Sequence, residues 1–584
     1  MKDLPSASGD FSKPKRGISS IPALFMRVKV QPISIIVTLF ALRLAVSAQE
    51  LPQIDLNGVQ ETHVMIPMRD GKRLSAYIYL PAGKGKWPAV FEQRYASITG
   101  NSTRKNSAEL AQHGFAVAMV NFRGSQQSEG KYVGYRALGW GELQDGYDTC
   151  EWLASQPWCT GDVGSFGSSQ GGFAQNFLAV TRPPHLRCQY MVDTGLSLFQ
   201  EGYRIGGVTR PKRFADFGAN CREPEDNAAL LREWDEHPDY DAYWRSEDCS
   251  LHFSKMNVPC FTIGSWYDFM VQGSVQSYVG REHHGDLKSR GAQQLVLGPW
   301  LHGRLNKTNK VGEMVYPENA KWPELEHMIR WFDHWLKGAN NGVEKEPSVR
   351  YYVMGAAGED GAPGNFWRST QEWPPKTKSL SFYFRKDAAL ELVAPVATSE
   401  STTLASDPTR PVEIPGRSFP GAKDARAFEQ QKDVCTWTTA PLDAPLEVTG
   451  EVNAEVWLKT DVRDTDLILR VSDVYPDGRS MLLMDYPLRA RYRAGFESQQ
   501  LLVAGEPALL MWHIGWTSIV INKGHRIRVA LSSTGAPLYE PNPQNGEKQT
   551  ADWLKNPRPA AHEILHEKAH PSRISLPTLV GVGN

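Results

Sequence analysis

Near Pro375 the sequence changes period, and that change limits the fold more than any other feature. From about Val59 to Trp373 short apolar runs alternate with helical patterns, which calls for βαβ units and a mostly parallel sheet. The clearest strands are 89–91, 115–120, 163–166, 260–263 and 294–297. The best helix spans 323–337, with Leu325, Met328, Ile329, Phe332, Trp335 and Leu336 on one face and Gly338 as its stop. Beyond Pro375 helical patterns nearly vanish. Short β-prone segments at 379–384, 446–458, 467–474, 481–488, 517–521 and 527–532 are separated by turns such as Pro476-Asp477-Gly478. That pattern predicts a sandwich or jelly roll. A chain of 584 residues is expected to hold two or three domains, and no internal repeat or low-complexity tract interrupts this plan.

Two stretches depart from it. Residues 1–48 read as a signal peptide: Arg27 and Lys29, then an apolar run from Ile33 to Leu42, then small residues at Val46-Ser47-Ala48. The apolar run is about half a bilayer span, so no stable membrane association is expected after cleavage. Met26 would give a more usual start, and the product would be exported. Between 196 and 250 the alternation lapses into charged and aromatic sequence (Arg213-Phe214, Trp234, Tyr243-Trp244) with a helix-compatible 227–236. This reads as a helical cap inserted between two parts of the α/β domain, 49–195 and 251–373. It is expected to cover the active face and shape an acyl pocket. The all-β domain would be 374–584.

With 64 basic and 65 acidic side chains, nothing suggests a nucleic-acid surface. The seven cysteines lack the spacing of a zinc or redox motif, and His283-His284 reads as an exposed loop pair. Export would permit disulfides, but an odd count leaves at least one thiol over. No metal and no cofactor is expected.

The strongest local signal is 163–172. An apolar strand runs into Gly167-Ser168-Ser169-Gln170-Gly171, and a helix-compatible stretch follows. This is the pattern of a nucleophile elbow. Glycines two before and two after the serine make room for a tight strand-to-helix turn, and only Ser169 has both. Serine needs a base and an acid to orient it, in the order Ser, acid, His. Asp268 follows the strand at 260–263, and His302 follows the strand at 294–297. Strand ends share one edge of a parallel sheet, so Ser169, Asp268 and His302 are expected to meet there. The backbone N–H of Gln170 is the expected first oxyanion donor. Tyr95, just past the strand at 89–91, stands where a second donor is needed.

Several segments together resemble the cocaine esterase/X-Pro dipeptidyl-peptidase-like hydrolases. They are Gln93–Tyr95, Asn121–Gly130, Gln156–Gly161, Gly167–Ser169, Trp266–Asp268 and Gly298–His302, with Ala440–Asp443, Thr465-Asp466 and Asp473–Gly478 further on. The group includes α-amino-acid ester hydrolases and glutaryl-cephalosporin acylases. The resemblance implies an α/β-hydrolase fold with a helical cap and a C-terminal jelly roll. It also implies Ser169, Asp268 and His302 as triad, with the Tyr95 hydroxyl and the Gln170 amide as oxyanion hole.

Two departures stand out. Asn121 replaces the family's usual aspartate, so a structural hydrogen bond is expected to differ. Phe269-Met270-Val271 replaces the acidic pair that receives a substrate ammonium in α-amino-acid ester hydrolases. The expected activity is cleavage of a small-molecule ester or amide through an acyl-enzyme, of carboxylesterase or acylase type. A dipeptidyl-peptidase-like peptidase and a non-catalytic glycan-binding protein are the alternatives, and a homo-oligomer is left open.

Overall fold

The computed structural model describes residues 51–580 except 211–213, 304–308, 415–420 and 550–552. The leader expected at 1–48 lies outside the described residues, as does Arg213. Among the described residues, no helix is long and apolar enough to cross a membrane.

A ten-stranded mixed sheet organises the first half. Its strands are β1 (Gln60–Pro67), β2 (Arg73–Leu80), β3 (Trp87–Arg94), β4 (Ala116–Asn121), β5 (Cys159–Ser168), β6 (Leu186–Val192), β7 (Cys260–Ser265), β8 (Gln293–Gly298), β9 (Val349–Val353) and β10 (Phe366–Thr370). In space they run β1-β2-β4-β3-β5-β6-β7-β8-β9-β10. The strands from β4 and β3 through to β9 are parallel, while β1, β2 and β10 are antiparallel to their neighbours. Every residue of β4, β7 and β8 is buried, which explains their continuous apolar runs. The carboxyl ends of β3, β5, β6, β7 and β8 therefore share one edge.

The helix Glu324–Lys337 ends at Gly338, whose φ of 68° suits glycine. Its fully buried residues are His327, Trp331, Phe332 and Leu336, a stripe turned from the one the apolar pattern suggests. His327 can enter because Glu346 meets its Nε2 at 3.2 Å. Leu325, Met328, Ile329 and Trp335 flank this stripe, half-buried. His283 and His284 are exposed, but they close the helix Val271–His284 rather than sit in a loop.

The 196–250 stretch contains the helical turn Leu198–Tyr203, the helices Pro224–Glu236 and Ala242–Arg245, and a two-residue-a-side hairpin at 204–209. Phe199, Phe214, Trp234 and Trp244 from this stretch share one aromatic core with Tyr95, Phe122 and Phe173. Further on, a seven-stranded and a four-stranded sheet pack face to face around a common core. From Gly450 to Lys459, in the strand Leu446–Lys459, the burial alternates residue by residue, with Val452, Ala454, Val456 and Leu458 inward, the period of a strand with one covered face. The two halves are stitched: Met354 N–H donates to Ser518 O at 2.9 Å, and Val520 N–H donates to Met354 O at 2.8 Å. Trp373 lies between Trp266 and Trp516, its ring centre 5.8 Å from each. All seven cysteines are free thiols, six of them buried.

Candidate active site

Ser169 is the single residue between β5 and the helix Gln170–Thr181, with φ 58° and ψ −111°. Such a conformation is costly for a residue with a side chain and survives only when its surroundings hold it. Here Ser169 N–H donates to Val192 O and Phe173 N–H donates to Ser169 O, both at 2.9 Å. The flanking glycines are required by space. A Cβ at Gly167 would lie 3.0 Å from Gly171 Cα, and one at Gly171 would lie 2.8 Å from Glu92 Oε1. Ser168 is the last residue of β5 and Ser169 is part-exposed at the turn.

Asp268 lies three residues past β7 and His302 four past β8. Asp268 Oδ2 meets His302 Nδ1 at 2.8 Å; the Asp268 side chain is fully buried and that of His302 is 16% exposed. The two loops are held together by main-chain bonds: Trp266 N–H to Gly298 O at 2.8 Å and Tyr267 N–H to Trp300 O at 3.2 Å. Phe269 stacks on the His302 ring with centres 5.7 Å apart, and the Arg210 guanidinium lies 4.4 Å from the Phe269 ring centre. Phe269 is thus an aromatic platform for His302, backed by a cation.

Tyr95 and Gln170 are adjacent. The Gln170 Oε1 accepts from the N–H groups of Tyr95 and Ala96, both at 3.0 Å. Gln170 is also the first residue of its helix, where a backbone N–H has no helical partner. Asn121, at the end of β4, donates its amide to Arg94 O at 3.1 Å and Ala96 O at 2.9 Å, one on each side of Tyr95. An ionised aspartate could not donate these bonds, which accounts physically for the expected difference.

Ser169, Gln170 and His302 line one cavity of about 760 Å³. Its walls include Thr103, Leu110, Leu325 and Met328, from the helices Asn101–Gln112 and Glu324–Lys337. No described residue of 196–250 lines this cavity. Ile205 and Arg210 instead line a smaller cavity of about 70 Å³ beside Asp268 and Phe269. Glu92, buried against the elbow glycines, has its carboxyl raised by burial, with Arg94 3.5 Å away pulling it back. Among the described residues, Asp193, Asp268 and His302 are the one group close enough to share a cation. His302 Nδ1 is already engaged by Asp268 Oδ2, and Asp193 Oδ2 already accepts the Gly303 N–H. Asp193 was invisible in the sequence because Arg187 and Gln189 break the apolar run of β6. Gln189 is nevertheless buried, donating to Ser165 Oγ at 3.1 Å and Gln175 O at 2.8 Å.

Residues 70–220 and 212–304 match the model of the X-Pro dipeptidyl-peptidase (S15 family). Residues 341–575 match that of the X-Pro dipeptidyl-peptidase C-terminal non-catalytic domain. The cocaine esterase of Rhodococcus sp. is 28% identical, over 90% of this chain and 100% of that protein. The chain belongs to the cocaine esterase/X-Pro dipeptidyl-peptidase-like family. Membership makes it a serine hydrolase, with an esterase among its full-length relatives. Two crystal structures share the fold of this family member. An aminopeptidase from a marine sediment Thaumarchaeota archaeon has a TM-score of 0.80 at 23% identity, covering 91% of this chain and 98% of that one. An α-amino acid ester hydrolase has a TM-score of 0.79 at 22% identity, covering 92% and 100%. The family's α/β-hydrolase fold with a β-rich C-terminal region is the fold observed.

Proposed function

We propose that the protein is a carboxylesterase or acylase that works through an acyl-enzyme on Ser169. His302 takes the Ser169 proton while Asp268 holds the imidazole tautomer, and Ser169 attacks the carbonyl carbon. The Gln170 N–H and the Tyr95 O–H stabilise the tetrahedral oxyanion. His302 then protonates the leaving group and activates the water that releases the acyl chain. The reading is carried by one observation, the 2.8 Å Asp268–His302 bond at the strand edge that also presents the Ser169 elbow. Substrates without a free α-ammonium are favoured, because the apolar Phe269-Met270-Val271 follows Asp268 and offers no countercharge, and the cation nearest Phe269 is Arg210.

The test is labelling of the full chain with a fluorophosphonate, beside Ser169→Ala and Ser168→Ala, read by intact mass. The adduct is expected in wild type and the Ser168 variant and absent from the Ser169 variant. A folded wild type that takes no label would defeat the proposal. Matched ester and anilide substrates then separate esterase from peptidase activity.

A further inference from the structure

Asp193 is the residue immediately after β6, on the same edge as Ser169, Asp268 and His302. It adopts a φ of 47° and is completely buried. Its Oδ2 accepts the N–H of Gly303, the residue after His302, at 2.7 Å. One oxygen of Asp193, one of Asp268 and a ring nitrogen of His302 lie within 4.8 Å of one another. The second oxygen of Asp268, Oδ1, is buried without a hydrogen-bond partner, and the Ser265 hydroxyl stands beside Asp193 and favours its charged form.

A buried carboxylate this close to a second one favours its neutral form. The groups facing Asp193 are Asp268 from the β7 loop, His302 and the Gly303 N–H from the β8 loop, and Ser265 from β7 itself. Arg210 stands further off, behind the Phe269 ring. Burial first, and the Asp268 charge second, hold the Asp193 carboxyl well above the ordinary carboxylate range; His302 and the Gly303 N–H pull it back.

We propose that Asp193 is a second acid of this site, a positioning residue that shares one proton with His302 and anchors the His302–Gly303 turn. It rests on the triad reading given above. In the intact enzyme Asp268 orients the imidazole and Asp193 holds the spare proton. With Asp268 neutralised, Asp193 is free to ionise and becomes the countercharge for the imidazolium.

The experiment is a set of pH profiles of kcat/KM for wild type, Asp193→Asn, Asp268→Asn and the double variant, with fluorophosphonate labelling and thermal melts of each. Asparagine keeps an acceptor for the Gly303 N–H and removes the ionisation. In Asp193→Asn the acidic limb should become a single-proton limb and move to lower pH by about half a unit or more, because His302 no longer shares its protons with Asp193. A merely structural Asp193 would leave that limb in place. Asp268→Asn alone should fall well short of the ~10⁴-fold loss seen when a lone triad acid is neutralised, and adding Asp193→Asn should cost a further ~10-fold or more. An unmoved limb, or singles whose effects simply multiply in the double, overturns the proposal. If Asp193→Asn melts too low to assay, Asp268→Asn decides: the full ~10⁴-fold loss sinks the idea. A folded wild type that fails to label at Ser169 defeats the triad reading itself, and labelling with normal limbs defeats only this proposal.

Discussion

At the scale of single residues, Phe269 stands between the imidazole and a cation. It stacks on His302 and carries the Arg210 guanidinium against its own ring. A stacked aromatic pair contributes about 0.5–1.5 kcal/mol beyond its buried area. Phe269→Ala should therefore lower kcat/KM on a neutral ester by about 2- to 10-fold, through loss of the stack and a closer cation beside His302. A variant with unchanged kinetics would show that the stack is incidental. Phe269→Glu is the sharper arm. The new carboxylate should pair with Arg210, so aminoacyl esters should gain nothing over matched esters lacking the amine. The residues legible from sequence alone were those just past short apolar runs that read as strands: Ser169, Asp268 and His302. Asp193 obeys the same rule and escaped because β6 satisfies its inward Gln189 with hydrogen bonds, which a hydropathy pattern cannot register.

At the scale of elements, the turn Leu198–Tyr203 is held by a buried acid. Glu201 Oε2 accepts the N–H groups of Leu196 and Ser197 at 3.2 and 2.8 Å. Burial first, and the Asp248 charge as well, raise its carboxyl from the ordinary 4.5 to about 7, while the two N–H groups pull it back. A raised carboxyl means the folded protein holds this proton more tightly than the unfolded chain does. The stability it gives is complete below about pH 4.5 and is lost as the pH climbs through about 7. Glu201→Gln, which keeps an acceptor oxygen, should thus exceed wild type at pH 8 by up to about 3 kcal/mol, and not at pH 4.5. Denaturant titrations at the two pH values check this, and equal differences at both would refute it. Elements were read unevenly. Strands β3, β4, β5, β7 and β8 were legible, whereas β1, β2, β6, β9 and β10 went unassigned. The helix Glu324–Lys337 was placed correctly but turned, because His327 goes inside with Glu346 as partner and no apolar count includes a histidine.

At the scale of the whole molecule, the described residues from 51 onward form one compact unit. The change of period at Pro375 is plain in the sequence, yet it marks a change of architecture and not a seam. Met354 exchanges main-chain hydrogen bonds with Ser518 and Val520, and Trp373 is buried between Trp266 and Trp516. Cutting the chain after Pro374 would bare this aromatic surface. The truncated chain should be insoluble or unfolded, and the whole protein should melt in one calorimetric transition. Two resolved transitions, or a folded fragment ending at 374, would contradict this.

The Trp516 indole N–H donates to Gln272 Oε1, across 244 residues of sequence, and Gln272 lies four residues beyond Asp268. Gly421, also from the second half, packs so closely on Tyr267 that a Cβ there would lie 2.5 Å from the ring. The turn that sets Asp268 is thus moulded partly by residues that never approach the substrate. A recombinant joining this hydrolase half to a relative's sandwich would keep every triad residue and still lose the surface against which that turn is set. Drift in the second half should therefore register first as altered turnover, before any change in shape is visible.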